Sequence, residues 1–195
     1  MKKTYYFICL IFAINVILNY FSDWQLYGYL TEKIIAWVWI LCTTIYIITF
    51  WKNKSARNYF YVIIALLVLS IIPMAIPFFG MYNYITTNGD YQQIQLNKDI
   101  RIEVTRHNAL STPRVFIFER QYEVLEHNIC RPAYSTIFEE VTDYKEAPRK
   151  HSLYDKINTI NAVLITKNND SIGIEYEILN KKKIIYHKLN IGDGY

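Results

Sequence analysis

The sequence predicts an α+β membrane protein, with three N-terminal transmembrane helices followed by a small, mostly antiparallel β domain, a sheet or sandwich of about seven strands. Three observations predict it. Formal charges are sparse over residues 1–79 and dense from 80 to 195. The charge-poor part contains three long apolar runs. The charge-rich part alternates apolar and polar residues in short segments broken by turn formers.

The charge step sets the domain boundary. Met1–Phe79 carries only Lys2, Lys3, Asp23, Glu32, Lys33, Lys52, Lys54 and Arg57. Six of these are bases and two are acids, so this part accounts for the whole net charge of +4. Gly80–Tyr195 holds equal numbers of acids and bases and is neutral. A change of solvent explains such a step, so residues 1–79 are read as a membrane domain and 80–195 as a water-facing one. A neutral domain lacks the positive face that phosphate-backbone binding needs, which argues against a nucleic-acid partner.

The apolar runs are Thr4–Ser22, Ile34–Trp51 and Asn58–Phe79. A hydrocarbon layer of about 30 Å needs about 20 helical residues, and each run has that length. Pro73 and Pro77 lie in the third run, where each lacks an N–H and crowds the preceding turn, so they are expected to end or bend that helix. The first run ends in Asn19-Tyr20-Phe21-Ser22-Asp23-Trp24 without a small-x-small cleavage pattern, and is read as an uncleaved anchor. Lys and Arg are retained on the cytoplasmic side. Lys2, Lys3, Lys52, Lys54 and Arg57 therefore predict a cytoplasmic amino terminus in a bacterial-type plasma (inner) membrane and an extracytoplasmic C-terminal domain. Tyr5, Tyr6, Tyr20, Trp24, Trp51, Tyr59, Tyr61 and Tyr82 fall at the expected interfaces, where amphipathic rings prefer to sit.

None of the three spans so drawn contains Asp, Glu, His, Lys or Arg, which disfavours a pump or coupled transporter. Asn15 and Asn19, one turn apart on the first helix, are the candidate site residues, as polar contacts between helices. Thr43, Thr44, Thr49 and Ser70 are further candidates.

The β domain reads as follows. Tyr91–Leu96 and Ile100–Thr105 form strands around an Asn97-Lys98-Asp99 turn. Arg114–Glu119, apolar on both faces, reads as a central strand, with Tyr122–Leu125 as its hairpin partner. Arg131-Pro132 breaks the chain, and Ser135–Val141 reads as another strand. Asp143–Lys156 is polar, and Ser152-x-x-Asp155 resembles the start of a short helix. Ala162–Thr166, Ile172–Leu179 and Ile184–Leu189 form a closing meander.

His127-x-x-Cys130 has metal-like spacing, but zinc needs three or four clustered ligands and His107, His151 and His187 are scattered. No metal or cofactor is expected. Cys130 lacks neighbours that would activate a thiolate, and Cys9 and Cys42 fall inside spans, so no disulfide is expected in the outer domain. Glu139-Glu140 is a carboxylate pair; Glu175 and Glu177 alternate with Ile174, Tyr176 and Ile178, the pattern of a strand's solvent face. Phosphate loops, nucleophile elbows and His-Glu-x-x-His are absent from the sequence.

The expected function is a non-enzymatic, membrane-anchored extracytoplasmic module that binds another envelope protein or a second copy of itself. One alternative is a membrane enzyme or accessory subunit drawing on His107, His127 and Cys130. Another is a small oligomeric transporter or channel with a pore lined by Asn15, Asn19 and the threonines.

Overall fold

The computed structural model describes residues 2–71, 76–106, 112–143 and 158–189. The chain divides into two compact units, Met1–Thr87 and Asn88–Tyr195.

The first unit is helical. Its elements are α1 (Lys2–Phe21), a three-residue strand β1 (Trp24–Leu26), α2 (Thr31–Thr49), α3 (Lys54–Ile71) and α4 (Ile76–Ile85). The first three helices are each long and apolar enough to cross a membrane, yet only 11%, 11% and 6% of their apolar windows are buried within the chain. A helix in water hides an apolar stripe against its neighbours. Here Leu10, Ile14, Ile17, Leu41, Ile48, Leu66 and Leu69 all remain exposed, so this surface suits an apolar solvent better than an aqueous one.

The α1–α2 connection turns at Gly28, whose φ of +99° is open to glycine at little cost. The Gly28 carbonyl accepts a hydrogen bond from the Thr31 backbone N–H at 3.0 Å.

Two described helices cover the third apolar run, and residues 72–75 between them lie outside the described residues. The helices are α3, ending at Ile71, and α4, which has Pro77 as its second residue. Proline is tolerated in a first turn, where N–H groups have no intrahelical partner, so Pro77 is compatible with its place as the second residue of α4. Pro73 lies outside the described residues. The helix boundaries also take Glu32 and Lys33 into the first turn of α2, beyond the span drawn from hydropathy.

The second unit is built on two antiparallel sheets and a helix. Strands β2 (Asp90–Gln95), β3 (Ile100–Thr105), β4 (Val115–Gln121) and β5 (Leu125–Cys130) pair in chain order. Strands β6 (Asn161–Lys167), β7 (Ser171–Ile178) and β8 (Lys181–Lys188) form a three-stranded meander. Asn97 shapes the β2–β3 turn, its Oδ1 accepting the backbone N–H groups of Asp99 and Ile100 at 2.8 and 2.7 Å. Left-handed Leu179 and Asn180 close the β7–β8 hairpin, with φ of 51° and 63°.

Two assignments from sequence need correction. The partner of β4 is Leu125–Cys130; Tyr122, at φ 58°, belongs to the turn before it. Residues 135–141 are not a strand, because Tyr134–Thr142 forms the helix α5. Tyr134, Ile137, Phe138 and Val141 are its buried apolar residues, at spacings of three, four and seven. That places them on one helical face, and burial of this face outweighs the strand preference of Thr136, Ile137 and Val141. The left-handed Asp143, at φ 54°, ends the helix. The possible helix near Ser152 lies outside the described residues.

A single core joins these pieces. Ile100, Ile102, Val104, Val115 and Ile117 face inward from the first sheet, Ile172, Ile174, Tyr176, Ile178 and Ile185 from the second, and the apolar face of α5 fills in between. Near the end of β6 the alternation changes phase. Leu164 pairs with Ile174 but Thr166 with Gly173, so Ile165 is a bulge residue. The shift lets Lys167, aligned with core-facing Ile172, form an ion pair with Glu119 of β4 and tie one sheet to the other.

Candidate functional sites

The two asparagines on α1 each find a partner. Asn15, only 1% exposed, donates from Nδ2 to the Tyr84 hydroxyl of α4 at 2.6 Å. Asn19 donates from Nδ2 to Glu32 Oε1 at the start of α2, also at 2.6 Å. Lys33, next in α2, donates to the Asn83 carbonyl at 3.2 Å and lies 5.9 Å from the Tyr84 ring centre. Polar groups from α1, α2 and α4 thus converge. Among the described residues the Asn15 Oδ1 has no hydrogen-bond partner. The threonines are engaged locally: Thr43 bonds the Tyr5 hydroxyl at 3.1 Å, and Thr44 donates to the Ile40 carbonyl at 2.9 Å. Ser70 donates to the Leu67 carbonyl at 2.7 Å. Tyr5 also stacks on Tyr46 at 4.3 Å and donates to the Tyr59 hydroxyl at 2.9 Å, which joins α1, α2 and α3 at the opposite end.

In the second unit, the sequence missed a charged cluster on the face of the first sheet turned away from the core. Arg101 of β3 and Glu126 of β5 meet across β4, with Arg101 Nε 3.1 and 3.0 Å from the two carboxylate oxygens. They are 7% and 1% exposed. Arg101 Nη1 also donates to Gln93 Oε1 at 2.7 Å and Glu103 Oε2 at 3.0 Å, and the guanidinium lies over the Phe118 ring at 4.4 Å. Burial alone would lower the Arg101 pKa, but Glu126 and then Glu103 outweigh it and raise it. The group is a fixed cation held by several acceptors, which suits orientation and packing better than proton transfer. The only trace of it in sequence was the strict alternation of β3, which assigned Arg101 and Glu103 to a solvent face.

His127 and Cys130 share β5, where they pair with Glu119 and Ile117. Cys130 packs against the core. His107 and His151 lie outside the described residues. Among the described residues, no three His, Cys, Asp or Glu side chains gather closely enough to hold a metal ion. His187 is instead a core residue. Its Nε2 is 2.9 Å from the Tyr176 hydroxyl, and burial pushes its pKa down to about 4. Burial, with a smaller contribution from Cys130, raises that of Tyr176. At neutral pH this is an uncharged hydrogen-bonded pair.

The outer face of the second sheet is different. Register places Val163, Glu175 and Ile184 in one row and Thr166, Gly173 and Tyr186 in the next. Val163 and Tyr186 are 57% and 63% exposed, and Ile165 and Ile184 are also exposed. The Tyr186 ring lies over Gly173, where a Cβ would come within 2.8 Å of it. Glu175 and Glu177 are half-buried on this face, and Glu177 approaches Lys182 at 3.7 Å. Lysines also line β8, at 181, 182, 183 and 188. The result is an aliphatic and aromatic patch edged by charge.

Comparison of the chain with protein families, with curated proteins and with solved structures returned no match.

Proposed function

We propose that the chain is an integral protein of the plasma (inner) membrane that carries its C-terminal unit outside the cytoplasm as a binding module for another envelope protein or a second copy of itself. The observation that carries this reading is the outer face of the β6–β7–β8 sheet. Val163, Ile165, Ile184 and Tyr186 lie together there in water rather than in the core. Adjacent exposed apolar residues with a polar border favour association, and a rigid tyrosine is a common anchor in such contacts. The exposed helices of the first unit, with Lys2, Lys3, Lys52, Lys54 and Arg57 gathered at one end, support bilayer insertion with that end cytoplasmic.

Photo-crosslinking tests the proposal. A benzoylphenylalanine at Tyr186 or Val163 in the full-length protein, at native expression, is expected to give one discrete adduct. The same probe at exposed Tyr122 is expected to give none. Monomer alone from all three positions refutes the binding role. A periplasmic-type reporter fused at Tyr195 checks the orientation, and its inactivity refutes the extracytoplasmic placement.

A further inference from the structure

A groove between α2 and α3, of about 530 Å³, is lined by Thr44, Ile47, Ile48, Trp51 and Phe60. Its only hydroxyl among these, Thr44, already donates to the Ile40 carbonyl, so the lining asks for an apolar occupant. Beside Trp51 and Phe60 in the chain the character reverses. Lys52 follows Trp51 directly, and Arg57 stands one turn before Phe60 in α3, with Lys54 one turn before Arg57. All three bases are exposed. Among the described residues none of them has an ion pair or hydrogen bond through its side chain.

The helix itself adds to this positive charge. Lys54 and Arg57 occupy the first turn of α3, which contains no acid. A helix N-terminus already carries a partial positive charge and unbonded N–H groups, so bases are disfavoured there unless an anion offsets them. Topology alone asks for bases on this side of the membrane. It does not ask that they stand within a turn or two of the residues that wall an apolar groove.

We propose that this groove is a binding site for one anionic phospholipid, its acyl chain lying along Ile47, Ile48 and Phe60 and its phosphate held by Lys52, Lys54 and Arg57. The site rests on the bilayer insertion proposed above. Trp51 and Phe60, in edge-to-face contact at 5.4 Å, form the shoulder between chain and headgroup. A zwitterionic lipid fits the groove equally well but brings its own cation to a cluster of bases, so selectivity resides in the headgroup.

Native mass spectrometry of the delipidated full-length protein tests the site, with phosphatidylglycerol and phosphatidylcholine of identical chains added at equal concentration. With three bases contributing, phosphatidylglycerol is expected to be retained roughly a hundredfold better. Each base near an anionic surface contributes roughly a fivefold effect, so K52Q/R57Q is expected to lower that retention by roughly 25-fold and leave phosphatidylcholine unchanged. The charge-conserving K52R/R57K should restore the preference, and Ile48→Trp, which fills the groove, should weaken both lipids. Equal retention of the two lipids overturns the proposal, as does a preference that K52Q/R57Q leaves undiminished. Recovery of the chain in the supernatant without detergent would instead overturn the insertion on which the site rests.

Discussion

Acidification should loosen the C-terminal unit through one residue, His187. Its imidazole is buried against Tyr176, and its pKa falls from the ordinary 6.5 to about 4. Below pH 6.5 the unfolded chain takes up a proton that the folded one refuses until about pH 4. Stability attributable to this residue is therefore intact at neutral pH, declines as pH falls through 6.5 and levels off below about 4. The full loss is roughly 3 kcal/mol, of which about 2 kcal/mol, or roughly thirtyfold in the opening constant, is reached by pH 5. Against a typical domain stability of about 5–15 kcal/mol this is large.

Hydrogen exchange of β7 and β8 peptides in the full-length protein, corrected for intrinsic rates at each pH, measures it. Carboxylates titrate over the same range, so the informative quantity is the difference between the wild type and His187→Gln. Glutamine still offers an acceptor to the Tyr176 hydroxyl but cannot be protonated there. The wild type should lose protection between pH 7 and 5 by roughly thirtyfold more than the variant. Parallel profiles for the two proteins would refute the argument, as would an imidazole that titrates above pH 6 by NMR.

Two further outcomes follow from the buried polar groups. Glu126→Ala leaves the Arg101 guanidinium buried with only Glu103 and Gln93, and should destabilise the C-terminal unit by about 3 kcal/mol, read from a denaturant midpoint; R101M/E126L should recover most of the loss. In a double-mutant cycle on Asn15→Leu and Tyr84→Phe, the coupling in detergent should be about 0.6 kcal/mol and no more than about 1.7 kcal/mol, and additive effects would mean that the 2.6 Å contact contributes nothing.

The three long apolar helices and most of the strands were legible in the sequence because each signal is local. A run of about twenty apolar residues or a period of two needs no knowledge of the rest of the chain. Residues 135–141 show where such reading fails. Ser-Thr-Ile-Phe-Glu-Glu-Val suits a strand by residue type, and only the inclusion of Tyr134 reveals the helical spacing. In the third apolar run, Pro73 and Pro77 marked the region between α3 and α4, but hydropathy alone could not place the helix bounds.

The sites were less legible, because they depend on which elements meet. Asn15 was recognisable as a buried polar residue, but its partner Tyr84 lies 69 positions away. Arg101 and Glu126 come from strands that never touch each other directly, and a period-two reading assigns such residues to water. His187 looked like one imidazole among four until β8 turned it into the core.

The bulge at Ile165 constrains how β6 can vary. Its side chain is exposed and contributes little to packing, so many residue types would serve at that place. A residue must nevertheless stand there. Shortening the strand by one would return Lys167 to the opposite side and leave Glu119 without its cross-sheet partner. What holds the two layers together at that corner is thus an odd number of peptide units, a property that substitution scanning would overlook and a single-codon deletion would expose.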